Sequence, residues 1–140
     1  MSSEGKPRVV LDTNIYISAL IFGGKPEKIF FLATENKIEL IVSPAIISEV
    51  AKVLSQKFKW RDESVLAALQ SIKEIARFVY PKQRLSIIKY KTDNMFLEAA
   101  VEAKADFIIS GDKKHILPLK KFGDVKIITA DEFLVEYERR

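Results

Sequence analysis

Apolar residues follow two rhythms along this chain: short unbroken runs, and longer stripes that return every three or four positions. The runs at residues 8–11, 38–42, 107–109 and 125–128 have strand length and are mostly apolar, 107–109 wholly so, as expected of strands covered on both sides. Between them lie helical stripes. Ile15, Ala19 and Phe22 follow the first run until Gly23-Gly24 stops the pattern. Pro26 suits the first turn of a second helix through Ile29, Phe30 and Ala33. Ser43-Pro44 reads as a capping hydroxyl followed by a first-turn proline, opening a stripe of Ile46, Ile47, Val50, Val53, Leu54 and Phe58. A further helix is predicted over residues 62–75, with Val65, Leu66, Leu69 and Ile72 inward. Residues 77–80 read as extended up to Pro81, and residues 85–88 as a second short extended piece. A helix over 93–103 follows, and Thr129-Ala130-Asp131-Glu132 has the pattern of a capping box opening the last helix.

Strands alternating with amphipathic helices predict a parallel sheet with helices on both faces, a doubly wound α/β sandwich. No repeat, low-complexity stretch or linker interrupts it. The expected organisation is a short polar tail at residues 1–7 and a single domain over 8–140.

Composition narrows the chemistry. A chain of 140 residues, 48% of them hydrophobic, can build one core without a disulfide or structural zinc. The absence of cysteine removes thiolate nucleophiles and Cys-type zinc sites, and fits a reducing cytoplasm. The polar first residues do not resemble a signal peptide, and no run approaches the roughly 18 apolar residues of a membrane span. A soluble cytoplasmic protein is expected. Its 23 basic and 19 acidic residues give a charge of +4, which suits a polyanionic partner without demanding one. The same surface, rich in Lys and Glu and poor in Asn and Gln, also reads as the thermophile kind.

The single histidine, His115, rules out a paired-histidine nuclease and a His-rich zinc site. Three residues after Asp112, it can reach substrate or serve a surface or capping role. Phosphate-binding glycine loops and the nucleophile elbow are absent. Metal-assisted hydrolysis remains.

In open parallel sheets ligands bind beyond the carboxyl ends of the strands, so acids at those ends matter most. Asp12 directly follows the first strand, Asp112 follows the strand at 107–109, and Asp93 opens a helix after an extended segment. Glu49 lies inside a helix, roughly 40° outside the apolar stripe at about 100° per residue, and leans toward the same end. Each has an ordinary alternative: Asp12 and Asp93 as helix caps, Asp112 as a turn residue, Glu49 as a flank residue paired with Lys52. Together they can face one crevice. Two carboxylates about 4 Å apart repel by ~4 kcal/mol at an effective dielectric of roughly 20, so a converging set must take up protons or hard cations. Such oxygen-rich sites favour Mg²⁺ or Mn²⁺.

Five segments resemble the PIN-domain family. They are Val9-Val10-Leu11-Asp12-Thr13-Asn14, then Ser43-Pro44-Ala45-Ile46-Ile47-Ser48-Glu49-Val50, then Asp93-Asn94-Met95-Phe96-Leu97-Glu98-Ala99-Ala100. Ala105-Asp106-Phe107-Ile108-Ile109-Ser110-Gly111-Asp112 and Val125-Lys126-Ile127-Ile128-Thr129 with Glu132-Phe133-Leu134 complete the series. The resemblance covers residues 8 to 134 in order. It implies a three-layer α/β/α sandwich around a mostly parallel sheet of about five strands. It also implies a Mg²⁺- or Mn²⁺-dependent ribonuclease, often the toxin of a VapC-type toxin–antitoxin pair and often a homodimer.

Carried over, the catalytic and metal-binding acids are Asp12, Glu49, Asp93 and Asp112, supported by Asn14, Ser43 and Ser110. In-line attack on the scissile phosphate is implied. Two departures stand out: Lys91-Thr92 precede Asp93 where many members carry a further acid, and the fourth motif runs one residue longer. Lys89, Lys91, Lys113 and Lys114 flank the site and are candidate RNA contacts, with Tyr90 or Tyr16 a candidate stacking platform. Two other readings stay open. One is a PIN-like RNA- or protein-binding module without useful catalysis. The other is a phosphate-transfer receiver or phosphatase, which needs paired acids after the first strand where Asp12-Thr13-Asn14 supplies one.

Overall fold

The computed structural model describes residues 5–139. Of the expected tail, residues 1–4 lie outside that range, while Pro7 is buried and its carbonyl accepts the Glu39 N–H at 2.8 Å. The chain runs β1 (Arg8–Leu11), α1 (Thr13–Ile21), α2 (Gly24–Thr34), β2 (Glu39–Val42), α3 (Pro44–Gln56), α4 (Asp62–Ile75) and β3 (Ala76–Phe78). It continues through α5 (Asn94–Ala103), β4 (Phe107–Ile109), β5 (Lys121–Phe122), β6 (Val125–Ile128) and α6 (Ala130–Glu138).

The strands form one six-stranded sheet in the order β3-β2-β1-β4-β6-β5. Every pair is parallel except β5 with β6. Val9, Val10, Leu11, Ile108 and Ile109 are fully buried, so both faces of the central strands are covered. The result is a three-layer α/β/α sandwich. Its five parallel strands match the expected sheet; the sixth, two residues long, is an edge hairpin that the apolar pattern does not announce.

Local chemistry explains most boundaries. The Ser43 hydroxyl accepts the Ile46 N–H at 3.3 Å, capping α3 with Pro44 in its first turn. Ile46, Val50 and Leu54 then bury completely, each contributing roughly 1.5–3 kcal/mol of transfer free energy. Thr129 and Glu132 form the predicted capping box of α6.

Two expectations need correction. Phe22 at the C-cap of α1 is 74% exposed, although its N–H still bonds to the Ser18 carbonyl at 2.9 Å. Leu66 is 66% exposed because α4 turns Val65, Ala68 and Ile72 inward, leaving the next position about 100° off that face. Residues 85–88, expected as an extended piece, join no strand of the sheet; side chains of α5 take up the N–H groups of Leu85, Ile87 and Ile88.

Candidate active site

The chain lays down β1, β2 and β3 outward in one direction, then returns to place β4 on the other side of β1. Strand order therefore reverses between β1 and β4, which opens a crevice at their carboxyl ends. Asp12 leaves β1 there, with its N–H still bonded to the Ile109 carbonyl at 3.0 Å. Ser110 and Asp112 leave β4 beside it. A cavity of about 170 Å³ occupies the crevice, and Asp12, Glu49, Asp93 and Asp112 all line it, with Thr13 and Asn14.

Asp12 is 3% exposed and held from three sides. Its Oδ1 accepts the Ile15 N–H at 2.9 Å, so the helix-cap role is real and coexists with the site. Its Oδ2 accepts the Ser110 hydroxyl at 2.5 Å and the Gly111 N–H at 3.3 Å. The same Ser110 oxygen accepts the Asp112 N–H at 3.0 Å. One fully buried hydroxyl thus ties the ends of β1 and β4 together.

Asp112 also keeps its turn role. Its Oδ1 accepts the N–H groups of Lys114 and His115, both at 3.0 Å. Oδ2 meets His115 Nδ1 at 3.1 Å. The imidazole packs on Tyr90, ring centroids 4.0 Å apart. Asp93 ends a 3-10 turn (Lys91–Asp93) before α5, and its side chain makes no cap hydrogen bond, which sets aside its ordinary alternative. Glu49 is half-buried on α3, and among the described residues no ion pair joins it to Lys52.

The electrostatics follow from burial and like charge. Burial raises the Asp12 carboxyl above its ordinary value and Asp112 adds to the rise; the bonds from Ser110, Ile15 and Gly111 oppose it without cancelling it. Asp93 is raised first by burial, then by Asp112 and Glu49, with His115 opposing. For Asp112, partial burial pushes upward, but the Lys114 and His115 N–H groups and the imidazole outweigh it and the carboxyl is lowered.

Asp93, Asp112 and His115 each offer a ligand atom within 4.8 Å of the others. The buried Thr13 hydroxyl, whose residue lines the cavity, has no hydrogen-bond partner in the protein. Carboxylates clustered in one crevice, beside an unsatisfied polar atom, are a donor set that fits a hard divalent cation.

The remaining candidates divide. Asn14 is exposed on the cavity wall. Ser110 is central. Ser43 is not part of this cavity: its hydroxyl is committed to capping α3, and the residue lines a separate recess with Tyr80 and Arg84. Lys89, Lys91, Lys113 and Lys114 are exposed, and among the described residues none forms an ion pair. Tyr16 is fully buried, edge-on to Phe30, and its hydroxyl is pushed far up by burial, so it belongs to the core and cannot stack on a base. Tyr90 is exposed. The contact of His115 with Asp112 had one sequence signal, the three-residue spacing; its seat on Tyr90 had none.

Comparison with known proteins agrees with this architecture. The chain is 34% identical to the uncharacterized protein MJ1680 of Methanocaldococcus jannaschii, over 96% of this chain and 94% of that protein. Its fold is similar to a chain in the crystal structure of VapBC2 from Rickettsia felis bound to a DNA fragment from their promoter. That match has a TM-score of 0.62 and 14% identity, covering 86% of this chain and 96% of that one. PAE2754 from Pyrobaculum aerophilum is similar at a TM-score of 0.59 and 11% identity, covering 96% and 91%. The PIN domain profile matches residues 8–114, which include β1, β4 and all four acids. This chain belongs to the PIN-domain family, a family of nucleases.

Proposed function

We propose that this chain is a divalent-metal-dependent endoribonuclease, a single PIN nuclease domain over residues 8–140. Asp12, Glu49, Asp93 and Asp112 would hold Mg²⁺ or Mn²⁺. The observation that carries this reading is their convergence on one cavity at the strand-order reversal. Held there, such a cation would supply activation of water and neutralisation of charge on the scissile phosphate and leaving oxygen.

The chain's own residues prepare that chemistry. Ser110, Ile15 and Gly111 fix both oxygens of Asp12, so its carboxylate needs no reorganisation when a ligand arrives. The backbone of Lys114 and His115 fixes one oxygen of Asp112 and leaves the other beside the imidazole. Asn14 offers a polar contact on the cavity wall, and Ser110 is the supporting residue. Lys89, Lys91, Lys113 and Lys114 supply positive charge for phosphates on either side of the cut.

The reading extends to a toxin role with an antitoxin protein as partner, as the VapC-type resemblance of the motifs implies. A homodimer, which the family resemblance implies, belongs to the same reading. No helix among the described residues is long and apolar enough to cross a membrane, which is compatible with action on RNA in the cytoplasm.

The test is incubation of the purified protein with single-stranded RNA. Cleavage is expected with Mn²⁺ or Mg²⁺, none with EDTA, and none from Asp12→Asn with either metal. An Asp12→Asn protein that cuts as fast as wild type defeats the assignment. RNA binding without cleavage in either metal favours the binding-module reading.

A further inference from the structure

Helix α5 carries Asn94, Glu98 and Glu102 at four-residue spacing, hence on one face, and all three bond to the same stretch of chain. Asn94 Oδ1 accepts the N–H groups of Ile87 and Ile88 at 3.0 and 2.8 Å, and its Nδ2 donates to the Ile88 carbonyl at 2.8 Å. Glu98 accepts the Leu85 N–H at 2.9 Å, and Glu102 the Lys82 N–H at 3.0 Å. Asn94 and Glu98 are buried. Residues 82–91 contain no strand, and this ladder supplies the partners that a sheet would otherwise give their backbone. The strap is therefore fixed along α5, antiparallel to it.

Its side chains sort by chemistry. Leu85 and Ile88 face the core. Lys82, Arg84, Lys89 and Lys91 are exposed, Arg84 with 88% of its side chain in solvent and only a 3.8 Å ion pair to Glu98. An exposed ring stands at each end. Tyr80, 69% exposed, is backed by Phe78, their rings 6.3 Å apart and inclined by 28°. Tyr90, 55% exposed, is backed by His115, which itself meets Asp112. Recesses of about 200 and 510 Å³ both include Pro44 and Tyr80 in their walls, so this ring borders each of them. The sheet order β3-β2-β1-β4 sets the end of β3, where Tyr80 stands, on the same carboxyl edge as Asp12 and Asp112.

We propose that the 82–91 strap, with Tyr80 and Tyr90, is a preformed track that leads single-stranded RNA into the acidic cavity. The proposal rests on the ribonuclease reading above. Four cations at intervals suit a phosphodiester backbone, and backed rings with an open face suit unpaired bases. Duplex RNA hides its base faces from such rings. An acidic protein segment would satisfy the cations but leave both rings without partners. Because α5 already holds the strap, little ordering is left to oppose binding.

Fluorescence anisotropy of the full chain with a labelled 12-nucleotide oligouridylate, in EDTA and across a KCl series, tests the track apart from catalysis. Tyr80→Ala is expected to weaken binding about tenfold with the salt slope unchanged, the loss of one stacked base. The double variant Lys82→Ala/Arg84→Ala is expected to reduce the slope of log K against log salt by about 1.4, roughly 0.7 for each phosphate contact. Lys28→Ala on α2 should bind as wild type does. All these side chains are exposed, and circular dichroism confirms the fold of each variant.

Wild-type affinity and slope in both strap variants would overturn the track. So would an acidic 12-residue peptide that loses binding in these variants while the oligouridylate does not. Cleavage in Mn²⁺ with strap-independent binding overturns the track alone. Strap-dependent binding with no cleavage in either metal supports the track and overturns the ribonuclease reading.

Discussion

At the amino end of the sheet Glu39 lies between Arg8 and Arg77, 3.4 and 3.3 Å from their Nε atoms, and Asp106 accepts the Arg8 N–H at 2.8 Å. At the carboxyl end Asp12, Glu49, Asp93 and Asp112 share one cavity, and among the described residues no lysine or arginine forms an ion pair with any of them. Acids matched to arginines hold strands in place. Burial, and then the neighbouring acids, raise Asp12 and Asp93, and although Asp12 and Asp112 also cap local backbone, this cluster has no lysine or arginine among the described residues to balance it. The difference separates a structural carboxylate from a functional one.

The largest effect expected from breaking this contrast is on activity. Asp12→Asn should lower cleavage by at least about a thousandfold, the several kcal/mol that metal-centred charge stabilisation supplies. Its melting temperature without metal should fall only slightly, because the change removes a buried charge and keeps an oxygen for the Ile15 N–H, while the new amide NH2 forfeits the acceptor of the Gly111 N–H. Kinetics and thermal melting of one preparation give both numbers; a variant that melts well below wild type would show that Asp12 is chiefly structural.

Glu39→Ala should do the reverse. Removing the partly buried partner of two arginines is expected to cost about 1–2 kcal/mol in urea unfolding, with the cleavage rate unchanged. Equal stability in the variant would remove the distinction between the two ends.

A smaller and sharper effect is the pH dependence of metal binding. Protons compete with the cation at Asp12 and Asp93, whose carboxyls lie above their ordinary 3.8. The rise in melting temperature given by Mn²⁺ should therefore shrink as pH falls, beginning above the ordinary carboxylate range. The metal-free protein should respond oppositely at these groups. A raised carboxyl stabilises the fold below its unfolded value, and that contribution is lost as pH rises through the folded value. Asp112, being lowered, opposes this trend. A metal-induced shift that stays constant down to pH 4 would contradict the assignment of Asp12 and Asp93.

What could be read from sequence was what local chemistry decides. Ser43-Pro44 and Thr129 with Glu132 act as caps at the positions predicted. The apolar runs became the parallel strands because a mostly apolar run has to be covered on both sides. Asp12 and Asp112 were legible as strand-end acids, and their cap and turn roles proved simultaneous with the site, since each carboxylate has two oxygens. Residues 85–88, read as extended, enter no strand because Asn94 and Glu98, helix residues that a strand pattern does not include, take up their N–H groups. The seat of His115 on Tyr90 joins two loops, and no local rule connects them. Ser43 sat in a motif beside Glu49, but its hydroxyl was already committed to α3.

Whether the four acids hold a metal is read from anomalous diffraction by crystals of the wild-type chain soaked in Mn²⁺. A manganese peak roughly 2.1 Å from carboxylate oxygens of Asp12 and Asp112, with Glu49 and Asp93 around the same ion or an adjacent one, is the result expected. A cavity without manganese at saturating concentration, or manganese bound only elsewhere on the surface, would contradict it.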